Sequence, residues 1–193
     1  MDASERPSPQ GLWRDVARVL VPRERIALRL DELAAEISAR YDGREITLLA
    51  VLTGSLVFLA DLIRRLPMPL RVDVISVRSY PDRATRSRGP CILGAPEIDV
   101  RGRDVLIVDD ILDSGRTLRA LRRHVEALGP ASVRIAVLLR KRRPRRRAAA
   151  GADFVGFDVP DRFVVGYGLD FDNLYRNLPD ICVLRPHEAE GQP

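Results

Sequence analysis

VLIVDDILDSGRTL, residues Val105 to Leu118, is the stretch whose reading decides the fold. Val105 to Val108 are apolar without alternation, as in a strand buried on both faces of a parallel sheet. The strand ends in two carboxylates, Asp109 and Asp110. A short loop follows, Asp113-Ser114-Gly115-Arg116-Thr117, and then a helix begins. In an open parallel sheet, ligands sit beyond the carboxyl ends of the strands, which is where this loop lies. Gly115 lets backbone N–H groups point inward, Ser114 and Thr117 add hydroxyl donors, and the helix N-terminus adds the positive end of its dipole. Together these suit a phosphate. The GxxxxGK[ST] pattern of a P-loop is absent. Adjacent acids beside an anion site repel the anion unless they hold a metal or accept from sugar hydroxyls. Asp109 and Asp110 suit a ribose and its Mg²⁺.

Working outward, the helix after the loop places Leu118, Leu121, Val125 and Leu128 on one face, and Gly129-Pro130 stop it. Upstream, Pro22 opens a helix with Ile26, Leu30, Leu33 and Ile37 on one face, closed by Asp42-Gly43. A solid apolar run, Ile46 to Leu52, reads as a buried strand, followed by Thr53-Gly54-Ser55. A second helix then runs through Leu66 to a stop at Pro67. Val72 to Val77 alternates like a strand. Tyr80 to Gly102 lacks periodicity and reads as a mobile, functional loop. Val133 to Leu139 is another buried strand, followed by the basic run RKRRPRRR, Arg140 to Arg147. Short apolar runs at Phe154–Val159, Phe163–Leu169 and Ile181–Leu184 complete the chain, and no internal repeat is present. Strands alternating with helices predict an α/β protein with a parallel sheet covered on both faces. Residues 1–20, with Pro7 and Pro9, read as a loosely held arm, residues 21–185 as the domain, and 186–193 as a tail.

Composition fits this plan. The 193 residues suit one domain, and 46% apolar with 31% charged residues is the mix of a globular protein with a real core. No apolar run approaches the roughly 20 residues that cross a bilayer. The first 20 residues carry no apolar h-region, so a cytoplasmic protein is expected. Cys91 and Cys182 are too few for a disulfide scaffold and lack metal-ligand spacing. The net charge of +5 points to anionic partners. All but one of the 32 Lys and Arg residues are arginine, and the exception is Lys141.

The Val105–Leu118 segment resembles the 5-phosphoribosyl-1-pyrophosphate (PRPP) motif of type I phosphoribosyltransferases. Asp153 to Leu184, DFVGFDVPDRFVVGYGLDFDNLYRNLPDICVL, resembles the C-terminal region of the hypoxanthine-guanine members. Leu52 to Ser55 matches their pyrophosphate loop, and Arg78 to Tyr80 the start of their catalytic loop. The match spans roughly residues 20 to 185, in order. It implies the type I phosphoribosyltransferase fold: a mainly parallel twisted sheet flanked by helices. A small hood is made from the N-terminal segment and about residues 153–185.

The resemblance also implies roles. Asp113 is the general base that takes the proton from N7 of a purine as N9 bonds to C1 of the ribose. Asp109 and Asp110 serve the ribose hydroxyls and Mg²⁺, and Asp113, Ser114, Gly115, Arg116 and Thr117 hold the 5′-phosphate. Thr53, Gly54, Ser55 and Arg176 bind pyrophosphate, with Thr53 where the family often has Lys or Arg. Phe163 stacks on the purine, Val164 reads its edge through the backbone, and Lys141 donates to O6. Asp170 is a further metal ligand at the edge of the base pocket. Ser79 and Tyr80 close over the site and exclude water from an oxocarbenium-like transition state. The implied reaction is purine salvage: hypoxanthine or guanine plus PRPP gives IMP or GMP plus pyrophosphate, in a homodimer or homotetramer. Two alternatives stand beside it. One is a xanthine-preferring relative, and the other a PRPP-binding regulator whose Arg140–Arg147 run contacts RNA. That run lacks the interleaved aromatics that stack on bases, so no specific nucleic acid is expected.

Overall fold

The computed structural model describes residues 10–79, 90–93, 96–142 and 151–185. In chain order the elements are α1 (Gln10–Trp13), β1 (Val16–Val21), α2 (Arg23–Tyr41), β2 (Ile46–Leu52), α3 (Leu56–Ile63), β3 (Leu70–Ser79), β4 (Pro90–Leu93), β5 (Asp104–Leu112), α4 (Arg116–Glu126), β6 (Ser132–Arg142), β7 (Phe154–Pro160) and β8 (Ile181–Leu184). Strands β4-β3-β2-β5-β6-β7 form one sheet in that order. Its five strands from β3 to β7 are parallel, and β4 runs antiparallel along the β3 edge.

The unbroken apolar runs are explained by what covers each face. Ile46, Leu48 and Ala50 of β2 pack with Ile26, Leu30, Leu33 and Ile37 of α2 and with Phe58 and Leu62 of α3. Leu49 and Val51, one step out of phase, pack with Val105, Ile107, Ile135 and Val137 and with Leu118, Leu121 and Val125 of α4. Each fully buried Leu or Ile contributes roughly 1.5–3 kcal/mol relative to exposure, so two such layers hold the sheet between its helices. α2 ends where Asp42 turns left-handed (φ 52°) and its N–H donates to the Ser38 carbonyl at 2.9 Å.

Four local expectations need adjustment. The helix read as running to Leu66 stops at Ile63. Arg64 and Arg65 form a turn, because Pro67 disfavours helical backbone in the residue before it. In β3 the alternation is inverted over Val72 to Val74, while Ile75 is buried and Ser76 exposed as expected. Val72 and Val74 are exposed, whereas Asp73 is buried and accepts from the N–H groups of Val74 (2.7 Å) and Ile98 (3.0 Å). The stretch from Tyr80 to Gly102 is not all loop, since β4 lies within it. Four residues are too few to show a period, and Pro90 at the strand's start suits an edge position. The arm expected over residues 1–20 carries a strand from Val16 onward, while residues 1–9 and the tail 186–193 lie outside the described residues.

That strand, β1, pairs antiparallel with β8 to make a second, two-stranded sheet. The N-terminal and C-terminal segments are further joined by Tyr175, whose hydroxyl donates to Asp15 at 2.7 Å. The Arg23 N–H also donates to Asp180 at 2.7 Å. Cys182 is buried and unbridged here, and burial pushes its thiol up to about 11. Among the described residues no helix is long and apolar enough to cross a membrane.

Candidate active site

The chain leaves β2 toward β3 on one side of the sheet, and from β5 it proceeds to β6 and β7 on the other. The order therefore reverses between β2 and β5, and a crevice opens at such a switch point. β2 stays paired with β3 as far as Leu52, but its pairing with β5 ends at Ala50 and Val108. Beyond that rung lies a cavity of about 500 Å³. It is lined by Gly54 after β2, by Asp109 to Gly115, by Thr117 of α4, and by Asp170 from the C-terminal segment.

One side of this cavity is built by the β5–α4 loop. Gly115 sits at φ 70°, a left-handed conformation that a glycine adopts without strain, and it turns the chain into α4. Gly115 has no side chain to cap the helix, and it lines the cavity together with Ser114 and Thr117. The Arg116 N–H lies 3.4 Å from Ser114 Oγ, and the Arg116 side chain is exposed outside the cavity lining.

The floor is acidic. Asp109 is buried, and its Oδ1 accepts the N–H of Asp110 at 3.0 Å. Burial raises its carboxyl well above the usual carboxylate range, and the neighbouring Asp110 charge adds to the shift. Burial also raises Asp110, although hydrogen bonds from Asp109 and the backbone oppose it. Two adjacent desolvated carboxylates form a donor set that favours a cation or hydroxyl donors. Asp109, Asp110 and Asp170 line one cavity, yet among the described residues no three His, Cys, Asp or Glu groups gather into a metal cage. Such a set fits Mg²⁺, which is commonly held by one or two carboxylates with phosphate oxygens and water completing its shell. Gly54 is matched to this floor, since a Cβ there would lie 1.7 Å from Asp110 Oδ2. Thr53 and Gly54 belong to a turn after a cis Leu52–Thr53 peptide. The Ser55 hydroxyl is turned away, donating to the Val51 carbonyl at 2.5 Å, so the loop offers its backbone rather than that side chain.

Lys141, near the end of β6, stands outside the cavity lining, next to Asp113, which belongs to it. The Lys141 side chain is 12% exposed, and its ammonium lies 3.5 Å from Asp113 Oδ2 and 3.6 Å from Asp161 Oδ1. Phe163 is 56% exposed despite lying in an apolar run, and its ring meets Phe171 edge-on at 5.4 Å. Val164, by contrast, packs its side chain in the core, leaving only its backbone to face a ligand. Arg176 does not line the cavity. It pairs with Asp170 at 2.8 Å and donates to the Gly168 carbonyl at 2.7 Å, bracing the segment that carries Asp170. Of the catalytic-loop pair, Ser79 ends β3 at the same edge of the sheet, and Tyr80 lies outside the described residues. In the basic run, Arg140 is committed to Asp158 through bonds of 2.6 and 2.9 Å, and residues 143–147 lie outside the described residues. Asp161 and Phe171 escaped the reading from sequence. Their positions two residues before Phe163 and next to Asp170 were the available signal.

The acid-lined cavity at the sheet's switch point, beside a helix N-terminus, suits a phosphorylated sugar and a cation. The chain belongs to the phosphoribosyl transferase domain family, whose profile matches residues 20–172, and it has the type I fold. Among its relatives are hypoxanthine-guanine phosphoribosyltransferases. That of Bacillus subtilis (strain 168) is 42% identical over 177 residues, spanning 92% of this chain and 98% of the relative. That of Mycobacterium avium is 41% identical over 179 residues, spanning 89% and 87% respectively. The crystal structure of a hypoxanthine phosphoribosyltransferase from Staphylococcus aureus superposes with a TM-score of 0.86 at 36% identity. It covers 95% of this chain and all of that one.

Proposed function

We propose that this protein transfers the phosphoribosyl group of PRPP to hypoxanthine or guanine, forming IMP or GMP and releasing pyrophosphate. The observation that carries the reading is the Lys141–Asp113 pair, 3.5 Å apart, of which Asp113 lines the acid-floored cavity. One group donates and the other accepts, and a 6-oxopurine presents an acceptor at O6 beside a ring proton at N7. Adenine carries an amino group at that position and offers the Lys141 ammonium no acceptor.

In the reaction, the bond from C1 of the ribose to the pyrophosphate oxygen breaks, and the bond from C1 to purine N9 forms. The electron pair of the broken bond leaves with pyrophosphate, and the N7 proton passes to an Asp113 carboxylate oxygen. The α4 N-terminus with Ser114, Gly115 and Thr117 holds the 5′-phosphate, and Asp109 and Asp110 accept from the ribose hydroxyls. The exposed ring of Phe163 lies flat on the base while Val164 reads its edge through the backbone. Amides of Thr53 to Ser55 receive the pyrophosphate, with Arg176 adding positive charge behind Asp170. Stabilisation of charge developing at C1 and on the leaving group is the main catalytic contribution.

Asp109, Asp110 and Asp170 would hold Mg²⁺, which when bound neutralises the charge on pyrophosphate. We extend the reading to a cytoplasmic homodimer or homotetramer. The exposed Val72 and Val74 on β3 support it as an apolar surface that a second copy would cover. Purified protein given PRPP, Mg²⁺ and hypoxanthine should release one pyrophosphate per IMP formed. Absence of IMP would overturn the reading.

A further inference from the structure

Lys141 stands between two carboxylates, and the proposed reaction uses only one of them. Asp113 lies on one side at 3.5 Å, and Asp161 lies on the other at 3.6 Å. Neither distance is the roughly 2.7–2.9 Å of a closed charge-assisted hydrogen bond. The ammonium is therefore shared across the gap.

The ladder between β6 and β7 places the second acid. Lys141 is opposite Val159, Arg142 is opposite Pro160, and Asp161 is the first residue beyond β7. There the chain turns, with the Arg162 N–H donating to the Pro160 carbonyl at 2.8 Å. The other acid of this strand, Asp158, is held by Arg140 through both its oxygens, so Asp161 is the β7-side carboxylate at Lys141.

We propose that Asp161 is a positioning residue that keeps the Lys141 ammonium from closing on Asp113. This rests on the phosphoribosyltransferase reading above. A lysine on its flexible four-carbon stem, given one carboxylate beside its ammonium, closes onto it. An incoming purine would then have to break that ion pair before Lys141 reached O6 and Asp113 reached N7. Asp161 pulls from the other side and keeps the purine's place between them. Its effect falls on capture of the base: once the purine is bound, the site is the same with or without Asp161.

Steady-state kinetics with hypoxanthine and PRPP test this in wild type, Asp161→Asn, Asp161→Glu, Lys141→Met and the double variant Asp161→Asn/Lys141→Met. Asp161→Asn should raise KM for hypoxanthine about tenfold, as for a weakened hydrogen bond to a charged group. Its kcat and its KM for PRPP should change by less than about twofold, the pattern of lost uniform binding. Asp161→Glu, which keeps the charge, should recover most of the loss. In the Lys141→Met background, Asp161→Asn should add nothing, since the group it positions is gone. Wild-type KM in Asp161→Asn overturns the inference, as does an undiminished effect in the Lys141→Met background. A wild-type protein without hypoxanthine or guanine transfer refutes the proposed function itself, and the inference falls with it.

Discussion

Replacing Lys141 by Arg preserves charge and tests shape alone. The wild-type side chain is 12% exposed, and its ammonium is a compact donor suspended between Asp113 at 3.5 Å and Asp161 at 3.6 Å. A guanidinium in that gap is planar and matched to carboxylates, so it closes on one or both acids and no longer presents a donor to O6. The loss is one hydrogen bond to a charged donor, about 1–3 kcal/mol. That corresponds to a fall of roughly 5–150-fold in kcat/KM for hypoxanthine and guanine. Both acids keep a cationic partner, so the thermal midpoint should stay near that of wild type. The assay is initial-rate formation of IMP and GMP at saturating PRPP, with a melt on the same preparation. Wild-type kcat/KM for both purines would refute the reasoning and return Lys141 to the basic surface run.

Asp113→Asn should lower kcat by about 10²–10⁴-fold with little change in PRPP affinity, read by rapid-quench kinetics and equilibrium binding. Unchanged turnover would remove Asp113 from proton transfer. Asp109→Asn should raise the thermal midpoint at pH 7 in the absence of metal and substrate while impairing activity. Burial raises the folded-state pKa of Asp109 above its unfolded value of roughly 3.9. The folded state therefore binds the proton more tightly, and stability falls as pH rises from that value through the raised one. The midpoint gain of the variant should accordingly shrink toward pH 4, and a lower midpoint at pH 7 would contradict the argument. Excess chelator should abolish nucleotide formation and Mg²⁺ restore it, because pyrophosphate leaves poorly without charge neutralisation. Full activity under chelation would release Asp109, Asp110 and Asp170 from the metal.

How much was readable from sequence follows from the range of the interactions involved. Val105 to Leu118 carries its strand, turn and helix signals within one window, and the structure places Asp109, Asp110, Asp113, Ser114, Gly115 and Thr117 around one cavity. The both-face burial of Ile46–Leu52 was equally legible, because an unbroken apolar run has few other homes. The pairing of Val16–Val21 with Ile181–Leu184 was not visible in local pattern, since its partners lie more than 150 residues apart. Asp161 was missed for a similar reason: its approach to Lys141 depends on the register of β6 against β7. Phe163 to Leu169, a short apolar run like those of β7 and β8, forms only isolated bridges, with positive φ at Gly166, Tyr167 and Gly168. Apolar composition alone cannot report that backbone path. The fit of Gly54 against Asp110 is likewise a matter of approach between segments far apart in the chain.

The most direct measurement is nucleotide formation from PRPP and Mg²⁺ with hypoxanthine, guanine, xanthine and adenine offered one at a time. The Lys141–Asp113 pair predicts IMP and GMP with stoichiometric pyrophosphate, and no AMP. Efficient formation of AMP, or failure with both hypoxanthine and guanine, would contradict the account.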